Sequence, residues 1–178
     1  MGIKTYLLLF SISSGICSCI KDDPEAKKFV PYSGPTLQVK NIEVFMTDSA
    51  HPKILLNAPL QVEYENGNRY FPKGVKIEFY EANHEKSSIL TSKKGRYNKQ
   101  TGIYTVTQDV VIQNLLEKKK LNTEELHWDP ITKDIYTDKF VRIETPEEVL
   151  TGQGLKSKED FNNYKILKPT GIFSLDQP

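Results

Sequence analysis

Apolar and polar positions alternate along most of the chain from Leu37 onward, and the alternation breaks at short intervals on Gly, Pro, Asn and Asp. A period of two is the mark of a strand with one buried face. Leu37 and Val39 point one way, and Ile42, Val44 and Met46 follow after a kink expected at Lys40-Asn41. Asp48–Pro52 turns the chain. Lys53–Leu56 reads as a short apolar strand; Leu60, Val62 and Tyr64 then alternate with Gln61, Glu63 and Glu65. Asn66-Gly67-Asn68 predicts a hairpin turn, because Asn and Gly supply positive φ. After a break at Phe71–Gly74, Val75, Ile77 and Phe79 alternate with Lys76, Glu78 and Tyr80, the clearest one-faced strand in the sequence. Ala82–Ser88 reads as a polar loop, and Gln113–Lys120 as a loop or single turn despite its helical propensity. Val149-Leu150-Thr151 leads into Gly152-Gln153-Gly154-Leu155, and Phe161, Tyr164, Ile166 and Phe173 end the chain in two short strands. About ten to fourteen short antiparallel strands result, with no crossover helix to support a parallel sheet. The fold class is all-β. Sandwich, open barrel and rolled sheet are not separated by pattern alone.

One pattern recurs. Leu90–Ile112 and Leu121–Ile143 superpose at an offset of 31 residues, with a slip of one in the turn between strands. Tyr97 meets Trp128, Ile103-Tyr104-Thr105 meets Ile135-Tyr136-Thr137, and Val110 and Ile112 meet Val141 and Ile143. The turns fall at Asn98–Gly102 and Asp129–Asp134. A repeat at this spacing predicts stacked copies of one hairpin unit.

Composition narrows the function. The 178 residues carry 24 basic and 23 acidic side chains, which is not the basic excess of a nucleic-acid binder. Both cysteines, Cys17 and Cys19, lie near the N-terminus, so the body holds no disulfide and no cysteine-based metal site. Three scattered histidines offer zinc little. No cofactor is expected.

Met1–Cys19 has a secretory layout: Lys4, an apolar run over Tyr6–Ile16, then small residues. Ile16-Cys17-Ser18-Cys19 resembles a bacterial lipoprotein cleavage box, which implies a signal peptide over 1–18 and acylation of Cys19. The charged, proline-bearing stretch that follows, to residue 36, reads as a tether able to reach on the order of 50 Å. The β domain is expected over 37–178.

Leu121–Asp129 (LNTEELHWD), Gly152–Ser157 (GQGLKS) and Phe161–Phe173 (FNNYKILKPTGIF), in this order behind an export signal, resemble the LptC family, the periplasmic component of the lipopolysaccharide export machine. The resemblance implies a twisted, boat-shaped β-roll, or open β-jellyroll, with an apolar trough. It implies that lipopolysaccharide arrives from the permease subunits of an inner-membrane ABC transporter. It leaves for a periplasmic bridge protein of the same fold, joined edge to edge at the C-terminal end. The chain would sit in the periplasm, held to the inner membrane by its lipid, where many family members carry a transmembrane helix instead.

The expected trough lining is Val75, Ile77, Phe79, Tyr104, Val110, Ile112, Leu126, Trp128, Val141 and Ile143. Taken singly, each of these is more simply a core residue; the trough reading applies to the set. Tyr164, Ile166 and Lys168 form the expected docking edge, with Pro169 stopping it, by addition of a partner strand. Gly152 and Gly154 are expected to permit a bulge or a close backbone approach. Glu124, Glu125, His127 and Asp129 form the densest titratable cluster. Strand alternation puts Glu125, His127 and Asp129 opposite Leu126 and Trp128, as in a plain half-buried strand, and no nucleophile or phosphate motif accompanies them. An enzyme is therefore disfavoured. A surface or outer-membrane lipoprotein that binds an unknown ligand is the alternative.

Overall fold

The computed structural model describes residues 32–48 and 51–171, and all but Tyr32 belong to one compact unit, Ser33–Pro178. The expected signal peptide, Cys19 and most of the expected tether lie outside the described residues, as does Phe173. Among the described residues, eleven antiparallel strands form one sheet: β1 Leu37–Asp48, β2 His51–Glu63, β3 Arg69–Phe71, β4 Val75–Tyr80, β5 Lys86–Ser92, β6 Lys94–Tyr97, β7 Tyr104–Asn114, β8 Lys119–Asp129, β9 Asp134–Glu144, β10 Val149–Lys158 and β11 Tyr164–Thr170. The all-β expectation holds, in the form of a roll of the β-jellyroll kind.

The long strand β7 pairs along one edge with β8, and along the other with β5 and then β6. β5 continues through β4, and β6 through β3, to the long strand β2. The sheet therefore splits between β7 and β2 and rejoins, which no local pattern announced. β2 is also one continuous strand where two were expected, because β1 pairs along its whole length. The kink at Lys40-Asn41 is present as a left-handed residue, Asn41, with φ of 51°.

Register turns the alternation into a core. Leu56, Ile77, Leu90, Ile112, Leu121 and Ile143 are successive cross-strand partners on six strands, none more than 2% exposed. A second row runs from Tyr97 through Tyr104, Trp128 and Ile135 to Ser157 and Tyr164. Between the rows lie bulges at Gln108-Asp109 on β7 and at Asp138-Lys139 on β9, the second facing the single residue Gly154 on β10. An extra residue on one strand bends it and sharpens its twist. With the bulges aligned across neighbouring strands, the sheet curls there, and the row bearing Trp128 folds onto the layer bearing Phe79, ring centroids 5.7 Å apart.

The repeat is structural. Copy one is β5, β6 and β7; copy two is β8 and β9, and the bulges on β7 and β9 fall within a residue of corresponding positions. The turn at Leu115–Lys118 agrees with the single turn expected there. Two expectations fail. Ser87 and Ser88, placed in a loop, lie buried in β5, where the Ser88 hydroxyl donates to the Asp160 carbonyl at 3.0 Å. Phe161, expected in a strand, sits in the β10–β11 loop with φ of 56° and is fully buried. Asn114 holds that loop down, its amide donating to the carbonyl of Asp160 and the side chain of Asn162.

Candidate functional site

The expected lining residues all face the interior of the roll. Val75, Ile77, Phe79, Tyr104, Val110, Ile112, Leu126, Trp128, Val141 and Ile143 belong to one cluster, and the most exposed of them, Tyr104, reaches only 6%. They were expected to line an open trough; in this structure they are packed as a core. The curl at the bulges brings two apolar layers together, and contact between them is favoured over leaving both wet, at about 25 cal/mol per Å². Leu56, Leu155 and Phe161 belong to the same interior and were not among the expected residues. Leu56 is found by its cross-strand partner Ile77, whereas nothing local marks Phe161.

The rims differ from the centre. No described strand pairs β1 with β11, so the roll is not closed into a barrel. Apolar side chains packed against the core become half-buried toward both rims: Ile42, Val44 and Met46 on β1, and Leu150, Tyr164 and Ile166 on β10 and β11. The interior thus surfaces at the two edges that lack a second neighbour.

At the C-terminal edge, β11 pairs with β10 alone among the described residues. Tyr164 and Ile166 face the core and Lys168 is exposed. Pro169 does not stop the strand, which runs on to Thr170; proline is tolerated on an edge strand, where one side needs no donor. Gly152 is a close approach: a Cβ there would lie 2.4 Å from Ile166 Cγ2 and 2.6 Å from the Lys168 carbonyl. Gly154 stands opposite the bulge of β9 in a left-handed conformation, with φ of 79°.

The titratable cluster resolves as the alternation predicts, with Leu126 and Trp128 buried inside and Glu125 and His127 outside. The His127 ring is fixed by the Thr105 hydroxyl at 3.1 Å from Nδ1, by Glu125 at 3.3 Å from Nε2, and by stacking on Tyr136. Glu159 accepts from the indole of Trp128 at 3.2 Å; burial pushes its carboxyl up against that hydrogen bond. Among the described residues no group of His, Cys, Asp and Glu could hold a metal ion, and no helix is long and apolar enough to cross a membrane.

Fold and interior define a class: an antiparallel β-roll with an apolar inside and two edge strands that each have one neighbour among the described residues. The family model described as lipopolysaccharide-assembly, LptC-related, matches residues 6–170, and the chain belongs to that family. Its members serve lipopolysaccharide transport in the periplasm, in association with the inner membrane. No individually curated protein matches the chain.

Proposed function

We propose that this chain carries lipopolysaccharide from the permease subunits of an inner-membrane ABC transporter to a periplasmic bridge protein of the same fold. Cys19 is its acylated anchor, and residues 19–36 are the tether. The acyl chains pass between the two layers of the roll, along the residues from Val75 and Phe79 to Val141 and Ile143. The packed interior parts to admit them, exchanging contacts between side chains for contacts with lipid. Such an exchange is nearly neutral in apolar area, which makes it reversible. The observation that carries the reading is the pair of unpaired edges at which this interior surfaces.

Transfer uses the β11 edge. Its outward N–H and C=O groups have no described partner strand, and an added strand would extend the sheet and the apolar layer together. The chain does no chemistry on the lipid.

Photo-crosslinkers at Phe79 and Tyr104 test the interior, and one at Lys168 tests the edge. Lipopolysaccharide adducts from the first two in cells, and a bridge-protein adduct from the third, are expected. Absence of lipid adducts from both interior positions would sink the carrier reading. A bridge adduct from Phe45 on β1 instead of Lys168 would move the docking edge.

A further inference from the structure

The outer wall carries a built pocket that transport through the interior does not use. Tyr70, Arg96, Thr105, His127 and Tyr136 are successive cross-strand partners on β3, β6, β7, β8 and β9. Their inward neighbours, Phe71, Tyr104, Leu126, Trp128 and Ile135, are buried, so this row faces outward. The row and the Asn98–Thr101 turn line an open pocket of about 320 Å³, near the lower end of the usual range for small-molecule sites.

Its wall is more ordered than a solvated sheet face requires. Thr105 is 5% exposed, and its hydroxyl fixes Nδ1 of His127. His127 stacks on Tyr136 at 5.0 Å, and Tyr70 is propped edge-on by Tyr64 at 5.3 Å. The Asn98 side-chain Oδ1 accepts from the backbone amides of Gln100 and Thr101, which sets the turn at the rim. Arg96 is exposed and forms no salt bridge among the described residues. From Tyr136 the row continues to Lys156 on β10 and Lys165 on β11.

We infer that this pocket binds a phosphorylated saccharide. Tyrosine rings offer apolar faces to the C–H side of a sugar while their hydroxyls meet its O–H groups. With Thr105 and His127 held to each other and to Glu125, the side-chain Nδ2 of Asn98 and the hydroxyls of Thr101, Tyr70 and Tyr136 supply the donors and acceptors a polyhydroxyl ligand needs. The guanidinium of Arg96 matches a phosphate in planar, two-pronged geometry, and the lysines beyond extend the positive edge. A purely apolar ligand would leave these polar groups unpaired. The chemistry of the pocket stands by itself; that the sugar is the headgroup of the transported lipid rests on the transport reading. In that case the acyl chains travel inside the roll while the sugar is read on its wall.

The test uses the full chain and the deacylated, phosphorylated oligosaccharide of lipopolysaccharide, with and without its phosphates, followed by calorimetry. Saturable binding is expected. Arg96→Gln should weaken the phosphorylated ligand at least tenfold, about 1.4 kcal/mol, and leave the dephosphorylated one unchanged. Tyr136→Ala should weaken both, and Tyr136→Phe should retain most of the affinity. No saturable binding, or equal affinity in Arg96→Gln and Tyr136→Ala, would overturn the inference. Interior crosslinks without oligosaccharide binding leave transport standing and remove the pocket. Oligosaccharide binding without interior crosslinks does the reverse.

Discussion

Phe79 on β4 meets the indole of Trp128 on β8 edge to face, their planes at 87°. These residues lie in different rows of one sheet, so their contact measures how far the sheet has curled onto itself.

Phe79→Ala should cost about 3–5 kcal/mol, the ordinary penalty for emptying a large aromatic from a packed core. Urea unfolding checks this. Trp128 is the only tryptophan in the chain, so its emission reports the same junction in the intact protein. Lipopolysaccharide entering between the layers should shift that emission, and the shift should be smaller in Phe79→Ala, where the junction is already loosened.

The interior does not accept a charge. Val110 is fully buried between the bulge of β7 and Thr123 of β8. Val110→Asp should cost several kcal/mol or bind a proton at neutral pH. A chevron or melting curve unchanged from the parent would contradict the placement of Val110.

Gly152→Ala should detach β11 without unfolding the roll. The added methyl group would collide with Ile166 and with the Lys168 and Pro169 backbone, and backbone cannot rotate away. We expect a loss of about 1–3 kcal/mol and, by hydrogen exchange, faster amides confined to β10 and β11. Gly154→Ala meets mainly the side chain of Leu167 but needs a left-handed alanine, at about 1–2 kcal/mol. Docking through β11 should suffer more in the first variant than in the second.

Acid should loosen the β4–β5 pair. Glu78 is 5% exposed on the outer face. Burial opposes its charge but is outweighed by hydrogen bonds from Lys76, Lys86 and Tyr80, which take its carboxyl down to about 2. The same contact, with burial, pushes Tyr80 up to about 12. A depressed carboxyl contributes stability above its unfolded value near 4.5, lost as pH falls toward 2. Because Lys76 and Lys86 are partly solvated, we expect roughly 1–3 kcal/mol. Denaturation midpoints between pH 6 and about 2 should fall more steeply in the parent than in Glu78→Gln.

Phe161→Ala should open the end of the roll. The side chain fills the space under the β10–β11 loop, stacked on Tyr164 at 5.3 Å. Its loss should cost about 3–5 kcal/mol, and a limited-proteolysis cut should appear within residues 159–163. Phe161→Leu, which refills much of the volume, should restore protection.

Local chemistry was enough to place most of the strands and turns, though not the start of β5, the unity of β2 or the loop holding Phe161. Alternation marked Val75–Tyr80, and paired turn residues marked both hairpins of the repeat, because pleat and turn geometry are properties of a few adjacent residues. The sequence also contained the repeat, and with it the cross-strand rows that the two copies share. It did not contain the curl. Whether Val110 and Trp128 line a channel or fill a core depends on where the bulges of β7 and β9 align across strands. Whether Ser88 and Phe161 are surface or interior depends on a loop 72 residues from Ser88. Burial is decided by which face meets which after the sheet bends, and that is settled between distant segments, where a run of neighbouring residues carries no record of its eventual partner.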